Sequence, residues 1–187
     1  MLKINQKVPD FELAVFHKNS FKKIKLSQYK NKWLIIIFYP GDFTFVCPTE
    51  LRETAELYKD FQKNGAEVLS ISTDSVYSHK AWHDRSPSIS QIEYPMAADQ
   101  TGEFSRAFGV YIEEEGVCQR ATFIIDPSGL VKAMDIHDND IGRNINEVYR
   151  KFESAKYVHD HQGEVSPASW QPGKKTIKPG IKLVGKI

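Results

Sequence analysis

Hydrophobic and polar positions along the chain predict strands and helices in succession. The polar stretch His17–Ser20 separates two strand-like segments, Phe11–Phe16 and Ile24–Leu26, which predicts an N-terminal hairpin. The continuous apolar run Trp33–Tyr39 is typical of a strand that is covered on both faces at the centre of a sheet. Val68–Ser72 is predicted to be a second core strand.

Apolar residues recur at steps of three and four between Pro48 and Lys63, which predicts a helix with one apolar face. Pro48 suits the first helical position because its missing N–H would be unpaired there. Gly65 is a typical helix stop. Two further helices are predicted at Ser78–Asp84 and Asn144–Val158.

Near the C-terminal end, Ala121–Ile125 and Leu130–Ile136 are predicted strands joined by the turn Asp126–Gly129. Strands that alternate with helices and then form a hairpin favour an α/β fold with a mixed central sheet and helices on both faces. Proline and glycine interrupt the chain after His161. We therefore predict one domain over residues 1–161 and an arm over residues 162–187.

Composition narrows the function classes. The formal net charge of +1 argues against a nucleic-acid partner. The 187 residues include only two cysteines, Cys47 and Cys118, which is typical of a reducing compartment. The first ten residues contain no apolar run of signal-peptide length, so we expect a soluble cytoplasmic protein without a membrane partner.

Cys47 lies where the predicted central strand meets the predicted helix. A helix N terminus presents unpaired N–H groups and about half a positive charge. Both effects favour a thiolate, which is the nucleophilic form of cysteine. The alternative is a small buried hydrophobic residue, but the position at this junction favours a reactive cysteine.

Two common cysteine chemistries fit this segment poorly. Disulfide exchange of the thioredoxin type uses Cys-x-x-Cys at such a junction, and Glu50 stands in place of the second cysteine. Phosphate hydrolysis by cysteine uses a glycine-rich anion loop, whereas Cys47 is followed by Pro-Thr-Glu-Leu-Arg52. Reduction of a small neutral substrate by a thiolate remains open.

The segment Pro40-x-x-x-Thr44-x-x-Cys47 resembles the active-site signature of peroxiredoxins. Further segments are similar, in order and spacing, to the bacterial alkyl hydroperoxide reductase C group: Phe38–Pro40, Phe43–Glu50, His79–His83, Arg120–Pro127, Gly142–Arg143 and Leu183–Ile187. The resemblance covers essentially the whole chain. It implies a thioredoxin-like fold and the chemistry of a typical 2-Cys peroxiredoxin.

The resemblance also implies roles for individual residues. Cys47 matches the peroxidatic cysteine, and Thr44 matches the threonine whose hydroxyl holds the peroxide and contacts the thiolate. Pro40 matches the proline that shields the cysteine from water, and Arg120 the arginine that supports thiolate and peroxide. The polar network around that arginine is matched by Glu50 and Arg143. Taken singly, Arg120 would more simply be part of a surface ion pair, and Pro40 would be a loop breaker. The full motif favours the family roles instead.

One position departs from the family pattern. The resolving cysteine of the family lies in a Gly-Glu-Val-Cys-Pro-Ala segment, and this chain has Gly163-Glu-Val-Ser-Pro-Ala168, so Ser166 occupies the cysteine position. The serine is either an engineered substitution or a natural feature of an enzyme that an outside thiol resolves; the intact flanking residues favour the first. Cys118 matches no conventional resolving position, and a structural or semi-exposed thiol is the favoured interpretation over a substitute resolving cysteine.

The expected function is reduction of hydrogen peroxide and organic hydroperoxides by Cys47, in antioxidant defence. The resemblance implies homodimers that assemble into a decamer, and a flavin-dependent disulfide reductase or a thioredoxin-like protein as reductant. A redox sensor or a ring-shaped holdase chaperone without significant turnover is the alternative. No cofactor and no metal is expected, and His79 and His83 are interpreted as packing or surface residues.

Overall fold

The computed structural model describes residues 2–186. The chain forms two compact units, Met1–Ile145 and Asn146–Ile187, and each is described by itself. None of the helices in the described residues is long and apolar enough to cross a membrane.

The first unit is built on a seven-stranded mixed sheet with the strand order β2-β1-β5-β4-β3-β8-β9. The pairs β3–β4 and β4–β5 are parallel, and the pairs β1–β2, β1–β5, β3–β8 and β8–β9 are antiparallel. The strands β6 and β7 form a separate hairpin. The strand bounds are β1 (Glu12–His17), β2 (Ser20–Lys25), β3 (Trp33–Phe38), β4 (Ala66–Ser72), β5 (Met96–Ala98), β6 (Tyr111–Ile112), β7 (Val117–Cys118), β8 (Arg120–Ile125) and β9 (Val131–His137).

Three helices, α1 to α3, lie in the first unit, and α4 begins at its last residue and continues through the second unit. Their bounds are α1 (Cys47–Lys63), α2 (Val76–Arg85), α3 (Glu103–Phe108) and α4 (Ile145–Asp160). Short 3-10 helices span Leu26–Tyr29, Ile89–Gln91 and Ile181–Leu183. The predicted helices at 48–63, 78–84 and 144–158 are confirmed, each with slightly different bounds.

The central strand is the apolar run that the sequence predicts. All six residues of β3 are buried, since β4 and β8 flank it and both of its faces are covered. The antiparallel register pairs Phe38, at the end of β3, with Ala121, near the start of β8. This register brings Arg120 beside the point where the chain leaves β3 toward α1.

The N-terminal hairpin is confirmed as well. Its strands β1 and β2 pair from Glu12 with Lys25 to His17 with Ser20. The two connecting residues, Lys18 and Asn19, both have positive φ, 47° and 57°. Two consecutive left-handed residues form the turn whose twist matches that of the flanking strands.

Several short elements between residues 96 and 118 have no counterpart in the sequence-based prediction. The strand β5 has three residues, and α3 has six residues between two left-handed glycines, Gly102 and Gly109. Such segments are too short for a periodic pattern to be distinguished. The Asp99 carboxylate caps α3, since it accepts hydrogen bonds from the backbone N–H groups of Phe104 and Ser105 at 3.1 and 2.7 Å.

In the second unit the chain beyond α4 folds back on that helix. The Arg150 guanidinium donates to the Trp170 carbonyl at 2.8 Å, and the rings of Tyr157 and Trp170 lie 4.9 Å apart. The hydroxyls of Ser154 and Ser166 are 2.7 Å apart. Ser166, the predicted resolving-cysteine position, is thus half-buried against α4 and has a hydroxyl neighbour.

Candidate active site

Cys47 is the first residue of α1 and follows the loop Pro40–Val46, which connects the helix to β3. Its side chain is 0% exposed. Pro48 occupies the next position of the helix, as its fixed φ and absent N–H favour. The predicted junction between core strand and helix is therefore present, with the sulfur buried at the helix start.

A guanidinium group contacts the sulfur. Arg120 Nη1 donates to Cys47 Sγ at 3.3 Å and to the Glu50 carboxylate at 2.9 Å. The same arginine is fixed from the other side by Asn139, whose carbonyl accepts from Arg120 Nε at 2.7 Å and whose side-chain oxygen accepts from the Arg120 backbone N–H at 3.0 Å. Arg120 is therefore held in place before any substrate arrives.

Glu50 links this arginine to a second one. Its Oε1 accepts from the backbone N–H and Nε of Arg143 at 2.7 and 3.0 Å, and its Oε2 accepts from Arg143 Nη2 at 2.7 Å. Arg143 Nη1 also donates to the Ala121 carbonyl at 2.7 Å. Burial favours a higher pKa for Glu50, but the hydrogen bonds and charge of Arg143, with the charge of Arg120, outweigh it and hold the pKa below its usual value.

The charges of this cluster do not balance without the cysteine. Two buried guanidinium groups, Arg120 and Arg143, surround one buried carboxylate, Glu50. A buried charge without a partner is costly. Cys47 Sγ lies 3.3 Å from Arg120 Nη1, beside the excess positive charge of this cluster.

The backbone N–H groups at the start of α1 offer fewer hydrogen bonds to the Cys47 sulfur than the sequence suggests. The N–H groups of Thr49 and Glu50 both donate to the Val46 carbonyl, at 3.0 and 3.4 Å, and Pro48 has no N–H. The donor that contacts the sulfur is thus the side chain of Arg120, which comes from a strand about seventy residues further along the chain.

The comparisons with known proteins agree with this geometry. Residues 4–134 match the AhpC/TSA family. The chain belongs to the AhpC/TSA family of peroxiredoxins. It is 45% identical over 184 residues to alkyl hydroperoxide reductase C of Pseudomonas aeruginosa, with 98% of each chain covered. It is also 45% identical over 191 residues to the selenocysteine-containing peroxiredoxin PrxU of Peptoclostridium acidaminophilum, covering 100% of this chain and 94% of that one.

Solved peroxiredoxin structures share the fold. The crystal structure of Enterococcus faecalis AhpC has a TM-score of 0.86 and 45% identity and covers 89% of this chain and 100% of that one. The reduced 2-Cys peroxiredoxin of Plasmodium vivax has a TM-score of 0.91 and 31% identity, with 96% and 94% covered. The predicted thioredoxin-like α/β fold is thereby confirmed.

Thr44 and Pro40 lie in the loop before Cys47. The Thr44 hydroxyl is exposed and donates to the Gly41 carbonyl at 2.8 Å. Pro40 is half-buried and directly follows the fully buried Tyr39. Of the predicted site residues in the first unit, the structure joins Cys47 and three others in one hydrogen-bonded cluster: Arg120, Glu50 and Arg143. The other two, Pro40 and Thr44, lie in the adjoining loop.

Asn139 and Gly142 are residues of this site to which the sequence analysis gives no role. Asn139 positions Arg120, as described above. A Cβ atom at Gly142 would lie 3.2 Å from a methyl carbon of Val46, the residue before Cys47, so glycine permits the close approach of the two loops. The signals in the sequence are the turn-like composition of Asp138–Gly142 and, for Gly142, its place in the family-like pair Gly142–Arg143.

Cys118 is a free thiol at the end of β7 and is fully buried. Its sulfur is 3.0 Å from the Ser105 hydroxyl, which is itself 2.6 Å from the Asp99 carboxylate. Burial raises the pKa of Cys118 to about 12, so the thiol stays protonated at neutral pH. This environment is that of a structural cysteine, as the sequence analysis interprets it.

His79 and His83 lie one turn apart on α2 and differ in environment. His79 is fully buried and contacts Asp42, whereas His83 is half-buried and its ring lies 5.2 Å from that of Phe16. No group of three or more potential metal ligands occurs among residues 2–186.

Glu50→Gln is expected to lower the free energy of unfolding by about 3–5 kcal/mol, because two buried guanidinium groups lose their shared counter-charge. Chemical denaturation checks this value. Glu56→Gln on the same helix is the control, since its ion pair with Arg52 is exposed and is expected to contribute less than about 1 kcal/mol.

The pH dependence gives a second check. Because the folded-state pKa of Glu50 is lowered, its stabilisation is present above the unfolded-state value of about 4.3 and is lost as the pH falls through the folded-state value. Glu50→Gln should therefore lose less stability than the unchanged protein over this acid range. An identical acid dependence in both proteins would contradict the assignment.

Proposed function

We propose that this chain is a thiol-dependent peroxidase that reduces hydrogen peroxide and organic hydroperoxides through Cys47. The observation that carries the proposal is the buried sulfur 3.3 Å from Arg120, in a cluster with one more cation than anions. Membership of the AhpC/TSA family and the likeness to alkyl hydroperoxide reductase C agree with it.

The chemical step is a displacement at oxygen. The Cys47 thiolate attacks one peroxide oxygen, a sulfur–oxygen bond forms, and the oxygen–oxygen bond breaks. The leaving oxygen takes the bonding electron pair and a proton and departs as water or an alcohol. Cys47 is oxidised by two electrons to a sulfenic acid, the first product on the thiol oxidation ladder.

The residues around Cys47 have distinct roles in this step. Arg120 stabilises the negative charge as it moves from sulfur to the departing oxygen. Glu50 and Arg143 position Arg120, and Thr44 offers a hydroxyl to the peroxide from the loop before the cysteine. Pro40 shields the sulfur from water, which is consistent with the absence of exposed surface on Cys47.

Arg120→Ala is expected to slow oxidation of Cys47 by hydrogen peroxide about 100- to 1000-fold, the effect typical of losing one preorganised donor to a developing anion. Stopped-flow measurement under single-turnover conditions gives the rate. Arg120→Lys keeps the positive charge but not the guanidinium that bridges Asn139 and Glu50. Its oxidation rate should therefore fall between that of the unchanged protein and that of Arg120→Ala. Arg106→Ala is the control, since Arg106 is exposed and pairs with Glu113. An unchanged rate in Arg120→Ala would remove Arg120 from the mechanism.

We also propose that Ser166 occupies the resolving position and that this chain therefore depends on an outside thiol after the first step. A hydroxyl cannot form a disulfide with the sulfenic acid on Cys47. An external thiol instead condenses with it, releases water and leaves a mixed disulfide, which a second thiol reduces. A flavin-dependent disulfide reductase or a thioredoxin-like protein is the proposed reductant of a form that carries cysteine at this position.

The proposed assembly is a homodimer that associates further into a decamer in the cytoplasm. Support comes from an exposed aromatic cluster in the first unit. It consists of Phe21 and Tyr77, which are 50% and 72% exposed and whose rings lie 5.1 Å apart. Clustered exposed aromatic side chains are typical of association surfaces.

Tyr77→Ala is expected to shift the reduced protein from decamers to dimers, because the proposed contact between dimers loses its aromatic anchor. Sedimentation velocity at micromolar concentration measures the distribution. Tyr77→Phe keeps the ring and should keep the decamer. Unchanged protein that sediments as a monomer would refute the proposed assembly.

A redox sensor or holdase ring without significant turnover is the second candidate. The exposed aromatic cluster is the feature that favours it, since exposed apolar surface also binds unfolded chains. Repeated peroxide turnover with an added thiol separates the two candidates, because a sensor oxidises once and stops.

A further inference from the structure

The loop Pro40–Val46, which leads into the catalytic helix, is anchored by a buried polar network. The Asp42 carboxylate lies 2.8 Å from His79 Nδ1 and accepts a hydrogen bond from the Tyr39 hydroxyl at 2.8 Å. The side chains of Asp42 and His79 are 1% and 0% exposed. Because charged groups are rarely buried without a specific partner, this pair fixes the start of the loop.

The imidazole ties three elements together. His79 Nδ1 faces Asp42 in the loop, and His79 Nε2 lies 3.1 Å from the Ala97 carbonyl of β5. Both ring nitrogens are therefore engaged, one by the loop and the other by the central sheet. Since His79 belongs to α2, the loop is attached to a helix and to the central sheet at the same time.

The backbone of the loop is held at the same residue. The Asp42 N–H donates to the Asp74 carboxylate at 2.8 Å, and this carboxylate also accepts from the Ser72 hydroxyl at 2.8 Å. Asp42 is therefore fixed by its side chain and by its main chain, through partners that lie outside the loop.

Phe43, the residue after Asp42, has an unfavourable backbone conformation. Phe43 has a φ of 57°, in the left-handed region that bulky residues rarely occupy. Its side chain is largely exposed, so its own burial does not explain the conformation. Such strain persists where the surroundings impose it, and Asp42 is the neighbouring residue that the surroundings hold.

We propose that Asp42 and His79 are positioning residues of the peroxide reaction, which hold the Pro40–Val46 loop in the conformation that keeps Cys47 buried beside Arg120. The inference deepens the proposed function, on which it rests. Tyr39 takes part by donating to the same carboxylate. Without the pair, the loop is free to open, and Cys47 leaves the cluster while gaining exposure to solvent.

The test compares two reactions of Cys47 in His79→Leu. Oxidation by hydrogen peroxide needs the assembled site and is expected to slow about 10- to 100-fold, the effect typical of displacing a reacting group by about 1 Å. Alkylation by a bulky maleimide needs access to the sulfur and is expected to become faster. His83→Leu, one turn away on α2, is the control and should change neither rate.

Conservative variants separate positioning from general destabilisation. His79→Asn keeps a polar partner for Asp42 and should recover most of the peroxide rate. Asp42→Asn keeps only one of the two oxygens that contact Tyr39 and His79, so it loses one of these contacts and should behave like His79→Leu. If His79→Leu does not fold, Asp42→Asn gives the same comparison of the two rates. The inference is overturned if His79→Leu reacts with peroxide as fast as His83→Leu does. It is also overturned if peroxide oxidation and maleimide alkylation of Cys47 both become slower in His79→Leu. Oxidation of Cys47 in the unchanged protein tests the proposed function separately.

Discussion

Replacing Cys47 with serine is expected to abolish reduction of peroxide by this chain. The hydroxyl of serine is a far weaker nucleophile than a thiolate, and it does not ionise at neutral pH to supply the negative charge that Arg120, Arg143 and Glu50 leave unbalanced. Peroxide consumption in the presence of a small thiol should fall to the rate of the thiol alone. Intact-mass measurement after one equivalent of peroxide should show no added oxygen.

Cys118→Ser is the matched control, because it removes the other thiol of the chain. Burial raises the pKa of Cys118 to about 12, so this thiol is expected to contribute nothing to the reaction at neutral pH. Peroxide consumption in Cys118→Ser should equal that of the unchanged protein. Cys47→Ser that still consumes peroxide at the original rate would refute the proposed function.

Replacing Ser166 with cysteine is expected to create a covalent dimer where none forms otherwise. The sulfenic acid on Cys47 needs a thiolate within bonding reach, and a disulfide requires Cα atoms about 4.4–6.8 Å apart. In the proposed assembly, the arm carries this position to a neighbouring protomer. Peroxide should therefore give a disulfide-linked dimer on a non-reducing gel with Ser166→Cys and only monomer with the unchanged chain.

Turnover should change in parallel. The unchanged chain should be recycled by dithiothreitol but not by a disulfide reductase, whereas Ser166→Cys should be recycled by both. Ser154→Cys serves as the control for position, since its hydroxyl lies 2.7 Å from that of Ser166 but on α4. A peroxide-induced dimer of the unchanged chain that disappears in Cys118→Ala would instead make Cys118 the resolving residue.

The main elements of the fold are evident in the sequence because they are long and strongly patterned. The run Trp33–Tyr39 is apolar throughout, which is the pattern of a strand buried on both faces, and β3 is such a strand. The apolar positions of Pro48–Lys63 follow the helical period, and α1 covers these residues. The three-residue β5 and the six-residue α3 are too short to produce such a signal.

In the candidate active site, too, the sequence predicts the local features but not the contacts between distant residues. The sequence places Cys47 at the start of a helix after a core strand, because both elements are local and adjoin it. It does not show that the donor to the sulfur is a guanidinium; the N–H groups of Thr49 and Glu50 donate to the Val46 carbonyl, and Pro48 has no N–H. The resemblance suggests Arg120, but its position beside Cys47 follows from the antiparallel register of β3 and β8.

The sequence by itself therefore determines the order of the long elements, the position of Cys47 between a core strand and a helix, and the serine at position 166, since each depends on residues that are near one another in the chain. Only the tertiary structure decides the charge balance around Cys47, the support of Arg120 by Asn139 and the anchoring of the loop by His79. The physical reason is that buried charges are balanced by partners distant in sequence, which strand register brings together.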